Sequence, residues 1–350
     1  MIEKVLAEEV EKILAYGKKY ACSDVHISSG CSPMLRINGD IIQIPNAPVL
    51  SEKRVLDMIY SVMTDTQKNI YAEKLEMDFS IQIENELRFR VNAFRTVSGA
   101  AAVFREIPTD IRTLESISAP AIMKDLASLN RGLILVVGPT GSGKSTTLAA
   151  LIDYINTNLT RHILTIEDPV EFIHRPKKSL INQREVGNST LTFGNALKSA
   201  LREDPNVILV GEMRDLETIH SALTAAETGH LVLATLHTSS APQTINRIID
   251  VFSSEDKLVV RSMLSTSIKA IISQRLIKKE GGGRCAVFEV MMANSSIKNL
   301  IREDKIPQIN SIIELGKKAG MITMKDSIAD LVAKKIISPA AAEEFLTSNE

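Results

Sequence analysis

The sequence is poor in aromatic residues. Tryptophan is missing altogether, and phenylalanine and tyrosine supply an aromatic share of only 4% in 350 residues. Few rings are therefore available to stack on nucleic-acid bases. The formal net charge is −1, so the chain also lacks the basic field that attracts a phosphate backbone. Together these shortages argue against nucleic acid as a partner.

Cysteine is scarce too, and its positions exclude two classes of small stabilised fold. The three residues are Cys22, Cys31 and Cys285, and none belongs to a Cys-x-x-Cys pair. This spacing supports neither a disulfide framework nor a four-thiolate zinc site. The simple interpretation is reduced thiols in a cytosolic protein.

Long apolar runs are also missing, since none approaches the ~20 residues that a membrane-spanning helix needs. The N-terminus, Met1-Ile2-Glu3-Lys4, leads into acidic sequence and lacks the layout of a signal peptide. We expect no integral membrane segment and a cytoplasmic location, with any work at a membrane done from its cytoplasmic face. The length, with 44% hydrophobic and 24% charged residues, is sufficient for two globular domains with their own cores.

The N-terminal third reads as a small α+β domain. Residues 3–20 place apolar side chains on one face of an amphipathic helix, and residues 51–74 look helical. Short period-two segments surround residues 51–74 and predict strands, with turns at Asn38-Gly39 and at residues 84–86. The predicted boundaries are 1–107 for this domain, 108–120 for a proline-flanked linker, 121–293 for a nucleotide-binding core and 294–350 for a C-terminal helical segment.

The core is predicted to be α/β, because strands alternate with helices along the sequence. Such alternation is typical of a parallel sheet flanked by helices. A flexible turn of three glycines precedes the last predicted strand, and the chain beyond Ala293 is predicted to be helical to its end. The predicted sheet strands are Leu133–Val137, Ile163–Ile166, Val207–Val210, Leu231–Leu236 and Val287–Met291.

A complete phosphate-binding loop lies between the first of these strands and a predicted helix. Its glycines allow backbone N–H groups to surround phosphate oxygens at the positive end of the helix. We expect Lys144 to reach the β- and γ-phosphates of ATP and the Ser145 hydroxyl to bind Mg²⁺. The predicted nucleotide-binding residues are Gly138, Pro139, Thr140, Gly141, Ser142, Gly143, Lys144, Ser145 and Thr146.

Carboxylates follow two of the predicted strands, where ligands bind in open α/β sheets. Glu171 lies in Glu167-Asp168-Pro169-Val170-Glu171, and Glu212 follows the strand Val207–Val210 through Gly211. The usual aspartate before the second carboxylate is replaced by Gly211. We expect Glu171 and Glu212 to manage the attacking water and Mg²⁺, with Glu212 as a metal ligand. The sequence leaves open which of the two is the general base.

Histidines flank the strand Leu231–Leu236, His230 before it and His237 after it. A histidine beside a strand is often a structural side chain. The alternative is a sensor that donates a hydrogen bond to the γ-phosphate. From spacing alone the two interpretations are evenly balanced.

Four arginines of the N-terminal domain are further candidates. Arg88 and Arg90 are two residues apart and therefore project from one face of a strand, and Arg95 and Arg105 follow. They form either a solvated sheet face or a set of arginine fingers that serve the phosphate of a neighbouring subunit.

These segments together resemble the type IV pilus retraction ATPases, the PilT family of the secretion-ATPase superfamily, over nearly the whole chain. The atypical Gly211-Glu212 is then a trait of the family. The segments that carry the resemblance are the phosphate loop continuing to Asn156, the aspartate box Ile163–His174, the Walker B segments 201–205 and 207–215, the histidine box Thr228–Thr238, and the N-terminal segments 23–27 and 88–94.

A C-terminal segment places the chain nearer to the retraction branch of the superfamily. Ile297-Lys298-Asn299-Leu300-Ile301-Arg302-Glu303 is similar to a motif that retraction ATPases carry and need. Lys298 stands where arginine is more usual, and Ser296 where alanine is. Extension and type II secretion ATPases typically carry a tetracysteine metal site, which three cysteines do not provide.

The resemblance implies a fold and a mechanism. The fold would be a RecA-like P-loop domain with an N-terminal PAS-like α+β domain and C-terminal helices, assembled as a homo-hexamer. ATP and Mg²⁺ would lie between the two larger domains, with His230 and His237 sensing the γ-phosphate. The four arginines would approach that phosphate as the domains close. Rigid-body motion would then turn an inner-membrane platform protein and withdraw pilins from the fibre base.

Three alternatives remain at this stage. The first is an accessory retraction motor, or a pilus-assembly or type II secretion ATPase, of the same superfamily. The second is a P-loop enzyme that acts on small molecules or nucleic acid, which the mild charge and the few aromatic residues disfavour. The third is a scaffold ring that does not hydrolyse nucleotide, which the acidic residues disfavour.

Overall fold

A computed structural model describes residues 2–37, 39–83, 87–107 and 110–347, with only the backbone of residues 2–4. Its internal contacts divide the chain into two compact units, Met1–Thr109 and Asp110–Glu350, and each is described by itself. Asn38 of the turn predicted at Asn38-Gly39 lies outside the described residues, and so does the whole turn predicted at residues 84–86. Among the residues it does describe, no helix is both long and apolar enough to cross a bilayer.

The first unit is a mixed α+β structure, which confirms that part of the sequence prediction. Its described strands form one antiparallel sheet in the order β3-β2-β1-β6-β5-β4. The elements are α1 (Ile2–Lys19), β1 (Asp24–Ser28), β2 (Met34–Ile37), β3 (Asp40–Gln43), α2 (Glu52–Ser61), α3 (Asp65–Lys74), β4 (Glu76–Ile83), β5 (Leu87–Thr96) and β6 (Gly99–Ile107).

Hydrophobic periodicity explains these elements. α1 buries Leu6, Val10 and Leu14, spaced by four residues, against the sheet's core. The region 51–74, predicted as helical, is two helices because Thr64 caps the second one. The Thr64 hydroxyl accepts from the Gln67 N–H at 3.3 Å, and the Gln67 side chain accepts from the Thr64 N–H at 2.9 Å. This reciprocal capping box starts a new helix.

The second unit is a seven-stranded sheet with helices on both faces. The order of the described strands is β13-β12-β7-β11-β10-β8-β9. The strands are β7 (Gly132–Val137), β8 (His162–Glu167), β9 (Leu180–Glu185), β10 (Val207–Val210), β11 (Leu231–Leu236), β12 (Ile268–Lys278) and β13 (Arg284–Met292). The helices are α4 (Ile122–Ala127), α5 (Lys144–Asn158), α6 (Phe193–Ala200), α7 (Leu216–Glu227), α8 (Ala241–Asp250), α9 (Lys257–Ser267), α10 (Ser295–Arg302), α11 (Ile309–Leu315), α12 (Met324–Ala333) and α13 (Pro339–Thr347), with 3₁₀ turns at Ile306–Gln308 and Lys317–Ala319.

The parallel sheet is confirmed from β12 to β9, but the last predicted strand runs the other way. β13 pairs antiparallel with β12, a strand that was not predicted from the sequence. The glycines at 281–283 form the hairpin turn between them, with φ of 80°, 98° and 77°. Such positive φ values favour glycine. β9 was missed as well, because its alternating polar sequence lacks the long apolar run of a central strand.

Both faces of the central strands are buried. Along β7, Leu133, Leu135 and Val137 enter one hydrophobic core, while Ile134 and Val136 enter a second core on the opposite face. Full burial on both sides explains why these strands read as continuous apolar runs. The sheet therefore gives the loop that follows β7 a rigid base.

The ends of the second unit differ in detail from the sequence prediction. Leu114, inside the segment expected as a linker, is 3% exposed and packs in the core with Met123 and Leu126. The C-terminal part is mainly helical, but Ile322 forms an antiparallel bridge with Val290 and is not helical. α12 and α13 cover the hairpin through a small apolar cluster that includes Ile277, Val287 and Leu331.

Candidate nucleotide site

The phosphate loop turns sharply between β7 and α5, and two of its glycines are required by their surroundings. Gly138 has φ of 152°, and a Cβ there would lie 2.3 Å from the carbonyl oxygen of Gln274. Gly143 has φ of 87° and precedes the first residue of α5. A side chain at either position would force the loop open. The backbone N–H groups at the start of α5 stay available for an anion.

Gln274 on β12 fixes the loop from behind. Its Nε2 donates to the carbonyl oxygen of Ser142 at 2.8 Å, and its Oε1 accepts from the Thr147 hydroxyl at 2.7 Å. The side chain is 2% exposed. One buried amide therefore joins the loop to the first turn of α5. This residue could not be predicted from the sequence, because a glutamine 132 positions from Ser142 in an unpredicted strand carries no local signal.

Lys144 is folded back onto its own loop. Its Nζ donates to the carbonyl oxygens of Gly138 at 2.8 Å and Pro139 at 3.1 Å. The residue is 8% exposed. Burial lowers the pKa of Lys144, while the charges of Glu212 and Glu171 act in the opposite direction. Both predicted carboxylates therefore lie close enough to influence the lysine.

His237 links the loop to Glu212. Its Nδ1 lies 3.4 Å from Lys144 Nζ and 3.5 Å from the Thr140 hydroxyl, and its Nε2 lies 3.2 Å from Glu212 Oε1. An ammonium group only donates, so Nδ1 accepts and the Nε2–H donates to the carboxylate. This tautomer is inferred from the partners.

Glu212 is held by two partners after β10. Its second carboxylate oxygen pairs with Arg214 at 2.7 Å. Burial opposes ionisation of this carboxyl, but the hydrogen bonds and charges of Arg214 and His237 outweigh it, so the pKa of Glu212 is lowered. Glu212 is therefore a carboxylate with an oriented histidine, which is a suitable hard ligand for Mg²⁺.

The other predicted residues of the loop line its mouth. Pro139, Thr140 and Gly141 are exposed, and Ser145 and Thr146 lie half-buried in the first turn of α5. Within the described ranges, no cluster of three His, Cys, Asp or Glu side chains suits a metal ion. The Ser145 hydroxyl and the Glu212 carboxylate do fit Mg²⁺, which takes few protein ligands and completes its shell with water and phosphate oxygens.

His230 is a correction to the sequence analysis. β11 runs parallel to β7, and the His230 carbonyl accepts from the N–H of Gly132, the first residue of β7. His230 thus lies at the amino end of the sheet, ~23 Å from His237 at a rise of ~3.3 Å per residue. Its Nδ1 contacts the carbonyl oxygen of Ala225 at 3.0 Å. The expectation that both histidines meet at one phosphate is wrong within this subunit.

The arginines divide between the two faces of the first unit's sheet. Arg88 donates to the Ser80 hydroxyl at 2.8 Å, Arg90 lies 3.7 Å from Asp78, and Arg105 donates to Asp24 at 2.7 Å. These three share one face, because Arg90 and Arg105 are register neighbours on β5 and β6.

Arg95 stands apart from the other three arginines. Its guanidinium pairs with Glu52 of α2 at 2.9 Å. In β5 it follows the parity of the buried residues Phe89, Val91 and Ala93, and it therefore points to the face that the helices cover.

The parallel sheet and the loop at the carboxyl end of β7 define a P-loop nucleotide-binding protein. A family model described as "Type II/IV secretion system protein" matches residues 1–342. The chain is 54% identical to the type IV pilus retraction ATPase PilT of Pseudomonas aeruginosa, over 96% of this chain and 97% of that one. It is 56% identical to a twitching motility protein of Neisseria gonorrhoeae, over 91% of this chain and 86% of that one.

A solved structure shows the same similarity to PilT. The crystal structure of the pilus retraction motor PilT with bound ADP matches at a TM-score of 0.88 and 43% identity, over 95% of both chains. The chain therefore belongs to the type II/IV secretion system protein family and, within it, to the PilT-family retraction ATPases. The resemblance inferred from the sequence motifs is confirmed.

Replacement of Gln274 by alanine should weaken nucleotide binding. The change removes both bonds that join the loop to α5 and leaves the Thr147 hydroxyl buried without its acceptor. A loss of ~1–3 kcal/mol per buried group left unpaired predicts a roughly tenfold or larger rise in the ADP dissociation constant, measured by titration calorimetry. Gln308→Ala, at an exposed position of the same unit, is the control. Unchanged ADP affinity in folded Gln274→Ala would contradict the role of this side chain.

Proposed function

We propose that this chain is an ATP-hydrolysing motor that drives type IV pilus retraction and twitching motility. The observation that carries the proposal is the chain of contacts from the phosphate loop through Lys144 and His237 to Glu212. A lysine, a sensing group and a carboxylate thus converge on the space beside one helix N-terminus. Membership of the retraction ATPase family supports the direction of the motor's work.

Nucleotide binding requires a rearrangement of Lys144. In the structure its ammonium group is satisfied by two loop carbonyls and His237. The β- and γ-phosphates of ATP are stronger, charged acceptors, so we infer that Lys144 exchanges these carbonyls for phosphate oxygens. Ser145 and Glu212 would hold Mg²⁺, which neutralises charge on the phosphates when bound.

His237 then becomes a sensor. Once Lys144 turns toward phosphate, the histidine ring loses its donor at Nδ1 and has phosphate oxygens beside it. Glu212, itself paired with Arg214, keeps the ring close to the loop by accepting from the Nε2–H, and a second proton at Nδ1 would let the ring donate to a phosphate oxygen. A γ-phosphate would thus be detected at the carboxyl end of β11, and α8 begins five residues after that end.

The two carboxylates divide the remaining tasks. Glu212 is bound by Arg214 and His237 and has a lowered pKa, so it is a poor proton acceptor and a good anchor. Glu171 is exposed on the segment after β8, and its charge acts to raise the pKa of Lys144 against the effect of burial. We therefore assign Glu171 as the group that orients and deprotonates the attacking water.

The assembly is part of the proposal. We infer a cytoplasmic homo-hexamer at the inner membrane in which Arg88, Arg90 and Arg105 of one subunit serve the ATP of the next, while Arg95 braces α2. Closure and opening of the domains would turn a membrane platform protein and so withdraw pilins. The family supports this arrangement, and the shared face of the three arginines is consistent with it.

α10 is the proposed contact with the retraction machinery. Its sequence resembles the retraction motif, and Asn294 caps it by accepting from the Ile297 N–H at 2.9 Å. Ile297 and Ile301 are fully buried in the core, whereas Lys298, Asn299 and Arg302 lie on the outer side. The motif therefore has an inner structural half and an outer polar half that a partner can bind.

Lys144→Ala should abolish ATP turnover, because it removes the ammonium group that we expect to bind the β- and γ-phosphates of ATP. A loss of at least ~100-fold in kcat is expected for a group that stabilises the transferred phosphoryl charge. Phosphate release is the measurement, and Lys178→Ala, an exposed lysine of the same unit, is the matched control. Normal turnover in Lys144→Ala would refute the assignment of the site.

Mixed rings should reveal an arginine supplied by the neighbouring subunit. Arg90→Ala and Lys144→Ala proteins should each be inactive, but rings formed from both should regain turnover, since some loops then meet an intact Arg90. Arg36→Ala, on β2 of the same sheet and 3.9 Å from Asp24, should leave turnover near the wild-type value. Mixtures no more active than their parents would show that Arg90 acts within its own subunit or not at all.

The double change Lys298→Ala and Arg302→Ala should separate hydrolysis from retraction. Neither side chain belongs to the buried half of α10, so ATP turnover and the melting temperature should stay near wild type. Twitching should be lost in a complemented deletion strain. Lys318→Ala with Lys325→Ala, two exposed lysines elsewhere in the C-terminal helices, is the charge-matched control. Full twitching in the α10 variant would remove the support for this surface.

A further inference from the structure

The segment that carries Glu171 is held by side chains of two neighbouring strands. It leaves β8 after Glu167 and returns to β9 at Leu180. Glu171 itself is exposed, so its own side chain does not fix its position. Anchors on both sides of it are therefore needed to keep its carboxylate near Lys144.

Two carboxylates act on successive residues of the segment. Glu185 Oε2 accepts from the N–H of Val170 at 3.0 Å. The N–H of Glu171 favours the charged form of the Glu167 carboxylate, and so lowers the pKa that burial raises. Glu167 and Glu185 are register partners on the parallel strands β8 and β9, so both side chains leave the same face of the sheet.

Gln183 holds the segment on the far side of Glu171. Its Nε2 donates to the carbonyl oxygen of Phe172 at 2.8 Å, and its Oε1 accepts from the N–H of His174 at 2.8 Å. The same Nε2 lies 3.3 Å from Glu167 Oε1, which also accepts from the Thr165 hydroxyl at 2.7 Å. The anchors thus form one connected network.

We propose that Glu167, Gln183 and Glu185 form a clamp that positions Glu171 to deprotonate the water that attacks the γ-phosphate. The inference rests on the proposed function, since it assumes that Glu171 is the base. The clamp residues act through the backbone of residues 170–174 and are positioning residues. Their contacts described above do not include the phosphate loop at 138–146, which is held by Gln274 and by its own backbone. We therefore expect them to have no part in binding phosphate.

The clamp predicts an effect on rate and not on binding. A carboxylate that moves by about an ångström loses its alignment with the water, which costs roughly tenfold to hundredfold in kcat. The phosphate contacts are unchanged, so KM for ATP and the affinity for ADP should stay within about twofold of wild type. A group that merely stabilised the fold would lower the melting temperature and reduce the apparent kcat in proportion to the folded fraction. The rate is therefore divided by the ADP-binding stoichiometry of each protein, and only a loss that persists after this correction supports the clamp.

The test uses Glu167→Ala with Glu167→Gln as the conservative variant. The alanine variant loses the carboxylate that accepts from the Gln183 amide and interacts with the Glu171 N–H, and kcat should fall at least about tenfold with KM unchanged. The glutamine variant keeps an amide oxygen at this place and should recover most of that loss. If Glu167→Ala fails to fold, Gln183→Ala removes the anchors on the other side of Glu171 and should give the same split between kcat and KM.

The same changes made in a Glu171→Ala protein show whether the clamp acts through Glu171. In a Glu171→Ala protein, the further change Glu167→Ala should leave the residual single-turnover rate unchanged, because the positioned group is already gone. An additional fall in rate, or wild-type kcat in Glu167→Ala and Gln183→Ala alone, would overturn the clamp. Lys144→Ala distinguishes this from failure of the proposed function, since an active Lys144→Ala protein refutes the site itself.

Discussion

The ammonium group of Lys144 is the charge around which the site is built. A buried lysine must be paired, and here the partners are two carbonyls of its own loop and an imidazole. Those bonds hold the loop closed around a cation and bring His237, and through it Glu212, to the place where phosphate binds. The same charge makes the arrangement reversible, because a phosphate is a better partner for the ammonium group than a neutral carbonyl.

The sheet brings the residues of the site together at one of its edges. Parallel strands place the phosphate loop, His237, Glu212 and the Glu171 segment at one edge, and β12 adds Gln274 behind the loop. The burial of Glu167 beside that edge raises its pKa to about 7, although Thr165, Gln183 and the Glu171 N–H all favour its charged form. Ionisation of Glu167 thus carries a cost that a surface carboxylate does not have, which is typical of functional sites.

Local motifs predicted the parts of the site that lie within a few residues of each other. The loop, its lysine and the carboxylate after β10 follow from the strand–loop–helix pattern, and the family resemblance added the roles. Gln274, Gln183 and Glu185 were not predictable in the same way, because each acts across strands on a distant segment. The two strands that carry them, β12 and β9, were also not predicted. The place of His230 does follow from elementary geometry. A residue that precedes a six-residue strand lies at the opposite end from the residue that follows it, and the predicted pairing ignored this.

A structure of the protein with a slowly hydrolysed ATP analogue and Mg²⁺ tests the central claim most directly. The account predicts that Lys144 Nζ leaves the carbonyl oxygens of Gly138 and Pro139 for the β- and γ-phosphates. The His237 ring should face the γ-phosphate while Glu212 and Arg214 stay paired. A nucleotide bound with Lys144 still on those two carbonyls, or with His237 turned away from the phosphate, would contradict it.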